Sequence, residues 1–174
     1  MNFLDLAAKR YSVRGFDPRP VEREKIMQIL EAARLAPSAC NNQPCHFIVV
    51  QSPAARGRLV AAYNRPWFNS APAIIAVCIE RKACWQRSDG KNYGDVDAAI
   101  AMDHIMLCAT SLDLGTCWIG AFNEAEAKTA LNLPEGIEPI CLTPIGYPAL
   151  SAHKKNRKPL SEIVSWDTFG NKKP

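Results

Sequence analysis

Two basic clusters stand near opposite ends of the chain, Arg10-Tyr11-Ser12-Val13-Arg14 and Lys154-Lys155-Asn156-Arg157-Lys158. In an extended segment, side chains at i, i+2 and i+4 share a face, so Arg10, Ser12 and Arg14 can converge on one partner. Planar guanidinium forks, a hydroxyl and point charges together suit a phosphate group. If folding joins the two ends, across two copies of the chain, they make one anion site. That site would take a phosphorylated cofactor or substrate.

Two further segments have the composition of a binding surface. Ala36-Pro37-Ser38-Ala39-Cys40-Asn41-Asn42-Gln43-Pro44 is dense in amides and small residues. Amides donate and accept, so this segment could address both edges of a planar polar heterocycle. It also reads simply as a helix stop and turn. Gly115-Thr116-Cys117-Trp118-Ile119-Gly120-Ala121-Phe122 would let a backbone approach a flat ligand closely at Gly120 and Ala121. Its plainer reading is a strand leaving a buried helix. Neither Gly-x-Gly-x-x-Gly nor Gly-x-x-x-x-Gly-Lys-Ser/Thr occurs, so side chains must hold any phosphate. His46, His104 and His153 are far apart, and no cysteine forms a Cys-x-x-Cys pair, so no metal site is expected. His46 and His104 read as structural.

The chain that must position these groups has 174 residues, 48% of them hydrophobic and 22% charged, which fits one globular domain over 1–174. A formal charge of +4 is too mild for a nucleic-acid surface, and no aromatic residue interleaves the late lysines. No run is apolar enough to span a bilayer. The start carries an early acid and no cationic leader, and the seven cysteines read as reduced, mostly buried small hydrophobes. The expectation is a cytoplasmic protein.

Periodicity predicts a short amphipathic helix over 2–9, with Phe3, Leu6 and Ala7 on one side. A longer helix over 21–36 follows, opened by Pro20 and closed by Pro37, with Ile26, Ile29, Leu30 and Ala33 as its stripe. His46 to Val50 is a strand, 53–62 a helix, and Ala73 to Ile79 a central strand, apolar throughout. Residues 84–94 read as a loop free to move. The helix over 95–113 is apolar nearly all round, so part of its burial should come from a partner subunit, and Gly115 is expected to cap its end. Asn123 caps a helix over 124–132. Pro139 to Ile145 is a third strand, with Pro144 tolerated only at its end.

Several pieces in order resemble the nitroreductase family of FMN-dependent oxidoreductases. They are Arg10-x-Ser12-x-Arg14, Pro37-Ser38-Ala39-x-Asn41-x-Gln43-Pro44, Asp97-x-x-Ile100-Ala101, Leu112-x-Leu114-Gly115-x-x-Trp118-Ile119-Gly120, Pro144-Ile145-Gly146-Tyr147-Pro148 and Lys155-x-Arg157-x-Pro159. The likeness covers about residues 5–165. It implies an α+β fold, a mixed, mostly antiparallel sheet flanked by helices, in an intertwined homodimer whose tail, 148–174, contacts the partner. It implies that Arg10, Ser12, Lys155 and Arg157 hold the FMN phosphate and that Arg14 lies near the pyrimidine edge. Pro37, Ser38, Ala39 and Asn41 would pack on the flavin from the second subunit. Trp118, Ile119, Gly120 and Ala121 would lie beside the ring, Gly120 nearest N5. Tyr11 and Gln43 fall in the same segments and join the expected cofactor site.

The activity implied is hydride transfer from NADH or NADPH through flavin N5 to a small acceptor such as a nitroaromatic or quinone, with no side-chain acid or base required. A specialised flavin reaction in the same family (reductive dehalogenation, ring dehydrogenation or flavin breakdown) and a non-catalytic FMN-binding module are the alternatives. This chain departs from the family in carrying Cys45 where an aromatic residue is common. The segments that fold over the flavin are also reduced to those near 63–71 and 84–94.

Overall fold

The computed structural model describes residues 2–152 and 155–172; Met1, His153, Lys173, Pro174 and Lys154 of the second basic cluster lie outside them. Four strands, β1 (Cys45–Val50), β2 (Ala73–Glu80), β3 (Gly115–Thr116) and β4 (Ile137–Gly146), form one sheet in the order β1-β2-β4-β3. All three pairings are antiparallel. A single parallel bridge, Ser12 to Thr116, lays the first basic segment along the outer edge of β3.

β2 is central, and seven of its eight residues are buried. Alternate side chains serve opposite faces of the sheet. Ala73, Ile75, Val77 and Ile79 meet the helices α2 (Arg23–Arg34) and α5 (Gly94–Ser111). Ile74, Ala76 and Cys78 meet the other layer, built from α3 (Pro53–Arg58), α4 (Pro66–Asn69) and α6 (Glu124–Leu131). At roughly 1.5–3 kcal/mol per buried Val, Leu or Ile side chain, these two layers are the main source of cohesion. α1 (Phe3–Lys9) and α7 (Leu160–Ile163) lie at the ends of the chain and bury no residue. No helix among the described residues is long and apolar enough to cross a membrane.

The structure departs from the sequence expectations in particular places. Phe3 is 66% exposed and Leu4 76%, so this part of α1 finds little cover within the chain, while Leu6 is half-buried. α3 ends at Arg58, four residues early, and the chain continues in turns to Ala62. α5 ends without the help of Gly115. Leu112 is its C-cap and Asp113 takes the left-handed conformation, φ 60°, while the Leu114 N–H reaches back to the Ala109 carbonyl. Residues 85–93 fold as a small hairpin, with Tyr93 N–H on the Trp85 carbonyl and Arg87 N–H on that of Lys91. Its two aromatic rings, Trp85 and Tyr93, meet edge to face at 4.9 Å.

Pro144 stands two residues before the end of β4, opposite Ile74. Having no N–H, it cannot donate to a neighbour on the β3 side. The β3–β4 ladder stops there. Cys117 N–H turns to the Thr143 hydroxyl at 3.2 Å, and pairing resumes only between Ile119 and Leu142. Cys117 and Trp118 therefore form an unpaired step in the ladder, in unchanged register, beside the first basic segment.

Candidate functional site

Residues 10–14 are extended, and Tyr11 lines the same cavity as the residues on either side of it, so the two faces are not cleanly separated. Val13 is buried, while Arg10, Ser12 and Arg14 line a cavity of about 270 Å³. Val13 N–H donates to the Thr116 carbonyl at 2.9 Å, which fixes the register. Gly115 makes this possible, because a Cβ there would come within 2.5 Å of the Val13 side chain.

The opposite wall comes from the tail of the same chain. After β4, residues 147–149 run antiparallel to 15–17. Asp17 N–H donates to the Tyr147 carbonyl and Ala149 N–H to that of Gly15, each at 2.9 Å. Tyr11 then donates its hydroxyl proton to the Leu150 carbonyl at 2.8 Å. Tyr147 is anchored below. Its hydroxyl donates to the Glu22 carboxylate, Lys25 donates to that hydroxyl at 2.7 Å, and Arg19 lies 3.3 Å above its ring. The path delivers Lys155, Asn156 and Arg157 to the cavity, where Lys155 also donates to the Ala8 carbonyl. The two basic segments thus meet within one chain, not across two copies.

The electrostatics of this cavity are one-sided. Burial pushes the Lys155 ammonium below its ordinary pKa, and the neighbouring charges of Arg10 and Arg157 push the same way. Among the described residues none of Arg10, Arg14, Lys155 and Arg157 forms an ion pair, although seven ion pairs form elsewhere. Uncompensated cations gathered by a fold create a positive local potential that attracts anions. The Cys117 thiol is pushed up by burial, and Arg14, Ser12 and Arg10 pull against that shift, which places Cys117 beside the same cations. Trp118, 38% exposed, and the exposed Gly120 and Ala121 continue from it, while Ile119 turns into the core.

The amide-rich loop is built differently. Asp97 on α5 accepts the Ala39 N–H at 2.9 Å, and Ser38 Oγ accepts the Gln43 N–H at 2.9 Å. Cys40, Asn41 and Gln43 all have positive φ, 50°, 56° and 51°, an unusual concentration of left-handed non-glycine residues. Asn42 donates to the Ala83 carbonyl, and the Gln43 side chain to that of Asn41, so those amides are partly committed inside the chain. Pro37, Ser38 and Gln43 line a separate cavity of about 150 Å³ with Cys45 and Asp97.

This loop sits at the N-terminal end of α5, whereas Lys9, Arg10 and Tyr11 meet Thr110 and Asp113 at its C-terminal end. Thirteen residues separate Asp97 from Thr110, which at 1.5 Å per residue is roughly 20 Å. The structure therefore brings together Arg10, Tyr11, Ser12, Arg14, Lys155 and Arg157, with Cys117 beside them and Trp118–Ala121 following it in the chain, and leaves residues 37–43 apart. A larger cavity, about 850 Å³ between β1 and residues 131–137, holds none of these groups.

Sequence reasoning missed the roles of Tyr147, Asp97 and Trp67. Trp67 stands beneath Arg14, with the guanidinium carbon 5.9 Å from its ring centre. An aromatic run after Asn64-Arg65-Pro66 was the available signal.

Comparison with known proteins shows the family. The model of the nitroreductase family matches residues 7–64 and 57–147. A protein of Bacillus subtilis strain 168 named as an NAD(P)H-dependent FMN reductase is 32% identical over 177 residues, covering 92% of this chain and 71% of that protein. An NADH dehydrogenase of Thermus thermophilus is 26% identical over 191 residues, covering 92% of this chain and 93% of its own length. The crystal structure of a nitroreductase family protein from Clostridium difficile 630 superposes with a TM-score of 0.91 at 40% identity, covering 97% of this chain and 100% of that one. On the family match and these likenesses, the chain belongs to the nitroreductase family.

Proposed function

We propose that the chain is an FMN-dependent NAD(P)H oxidoreductase that works as a homodimer and reduces a small electrophilic acceptor such as a nitroaromatic or a quinone. The observation that carries this reading is the acid-free cavity where Arg10, Ser12, Arg14, Lys155 and Arg157 meet. Those residues fit FMN, since a phosphate would relieve the repulsion among the cations and accept from the Ser12 hydroxyl. When bound, FMN supplies the hydride chemistry between the nicotinamide and the acceptor.

The chain's own residues would do the rest. Arg10, Lys155, Arg157 and Ser12 hold the phosphate, and Tyr11 keeps the tail in place by its bond to the Leu150 carbonyl. Arg14 faces the pyrimidine edge, where a fixed cation favours negative charge. Trp118, Ile119, Gly120 and Ala121 run beside the ring. A Cβ at Gly120 would meet only the Trp118 indole, at 3.5 Å, so the backbone is open to a flat ligand.

Pro37, Ser38, Ala39, Asn41 and Gln43 lie too far along α5 to serve the same cavity, so they serve the partner's. The apolar groups that the single chain leaves exposed support that dimer. They are Phe3 and Leu4 on α1, Met27 on α2, Val96 on α5, and Leu160 and Ile163 on the tail, which would contact the partner.

The test is a visible spectrum of the purified protein with its mass in solution. The expected result is a yellow protein of two chains, bleached by anaerobic NADH or NADPH and recoloured by a nitroaromatic or quinone. A colourless protein that refuses added FMN would falsify the reading. Bound flavin that neither nucleotide bleaches would reduce it to a binding module.

A further inference from the structure

Arg14 differs from the other cations of the cavity in what stands behind it. Its guanidinium lies over the Trp67 ring, near the outer limit of about 6 Å for attraction between a cation and an aromatic face. Contact of this kind engages the flat face of the guanidinium and leaves its in-plane N–H donors free for a ligand.

The indole itself is firmly held. Tyr63 and Phe68 meet it edge-on at 6.0 and 6.3 Å, and Phe68 is fully buried. The Arg56 guanidinium ties down the end of α4 by donating to the Ala71 carbonyl at 2.7 Å and to that of Asn69 at 3.3 Å. Ser70 donates to the Trp67 carbonyl at 3.0 Å. On its other side Arg14 is confined by the Val13–Thr116 bond one residue back. Among the described residues it forms no ion pair that would draw it out of the cavity.

We propose that Trp67 is a positioning residue for Arg14. It holds the guanidinium at the edge of the cofactor that gains negative charge, and so favours the two-electron-reduced, anionic cofactor over the oxidised one. This rests on the FMN reading above. A mobile arginine would neutralise the same charge only after losing its own freedom of motion, and the indole removes that cost beforehand.

The test uses Trp67→Leu, Trp67→Phe, Arg14→Gln and the double variant Trp67→Leu/Arg14→Gln. Leucine preserves apolar volume without a ring face, and phenylalanine restores the face. Two quantities are read on folded, FMN-loaded protein: the dissociation constant for oxidised FMN, and the midpoint potential, which gives the ratio of reduced to oxidised affinity. Trp67→Leu should lower that ratio about two- to fivefold, the size of an exposed cation–aromatic contact, with a smaller change in oxidised affinity. Trp67→Phe should recover most of the loss, and Trp67→Leu should have no further effect once Arg14 is glutamine.

An unchanged ratio in Trp67→Leu, or an equal fall in the Arg14→Gln background, overturns the inference while leaving the FMN reading intact. If Trp67→Leu proves too unstable to load, the Phe variant decides. A ratio as low as that of Arg14→Gln, in a protein retaining the ring face, counts against the role. Wild-type protein that binds no FMN defeats the reading and the inference together.

Discussion

Like charges are normally kept apart by a fold, and Lys155 shows what happens when they are not. Its ammonium is held below its ordinary pKa by burial, with Arg10 and Arg157 adding to the shift. An anion between them reverses the sign of that environment. The buried thiols present a contrasting case. Burial raises Cys45 to about 11 and Cys78 and Cys141 to about 12, from an ordinary 9.0. A group whose folded pKa is raised contributes stability below its unfolded value and loses it as pH rises through the folded value. Thermal stability should therefore fall as pH climbs above about 9, where the unfolded chain releases thiol protons that the folded chain retains. Cys141→Ala should flatten that alkaline slope, read by melting temperature against pH, whatever it does to the neutral value. An identical slope would show that something other than the thiols governs alkaline loss. The sequence already read these cysteines as buried small hydrophobes, and six of the seven are buried or half-buried, with Cys40 exposed.

The elements were legible wherever one local signal decided them. β2 is apolar from Ala73 to Ile79 because both its faces are covered there, and Asn123 caps α6 through the Glu126 N–H as its position suggested. Gly115 was misread because local capping logic could not see a contact across the fold. Asp113 ends α5 instead, and its carboxylate pairs with Lys9 at 2.6 Å. Gly115 is glycine because Val13 packs directly over it, its side-chain atoms 2.5–3.0 Å from where a Cβ would stand. Gly115→Ala must push the basic segment off β3. It should cost about 1–3 kcal/mol of stability, by overpacking a filled site, and weaken FMN binding with it. Gly57→Ala is the control, since a Cβ there meets nothing within 4 Å, and it should stabilise the helix by roughly 0.5–1 kcal/mol. Urea denaturation and FMN titration of both variants check this. Wild-type stability in Gly115→Ala would contradict the packing account. The break at Pro144 was half legible. The missing donor was evident, but the gap in pairing it leaves at Cys117–Trp118 depends on which strand lies alongside.

At the scale of the molecule, the meeting of the two ends is decided by contacts more than a hundred residues apart. Tyr147 to Glu22, Tyr11 to Leu150 and the pairing of Phe16 with Pro148 steer the tail along the first segment. No local pattern encodes that path. The residue types therefore named groups that the fold gathers in one cavity, and the expected meeting across two copies takes place within one chain. The separation of residues 37–43 from the cavity within one chain follows from the length of α5. The claim on which the account turns is that both ends of one chain clamp a phosphoryl group. Its most direct measurement compares FMN with riboflavin, which lacks the phosphate, binding to the wild-type apoprotein and to Arg10→Ala/Arg157→Ala by calorimetry. Two charge-assisted bonds at about 1.5–3 kcal/mol each predict that wild-type protein prefers FMN by a hundredfold or more, and that the double variant loses most of this preference. Equal affinity of the wild-type protein for the two flavins, or an undiminished preference in the variant, would contradict it.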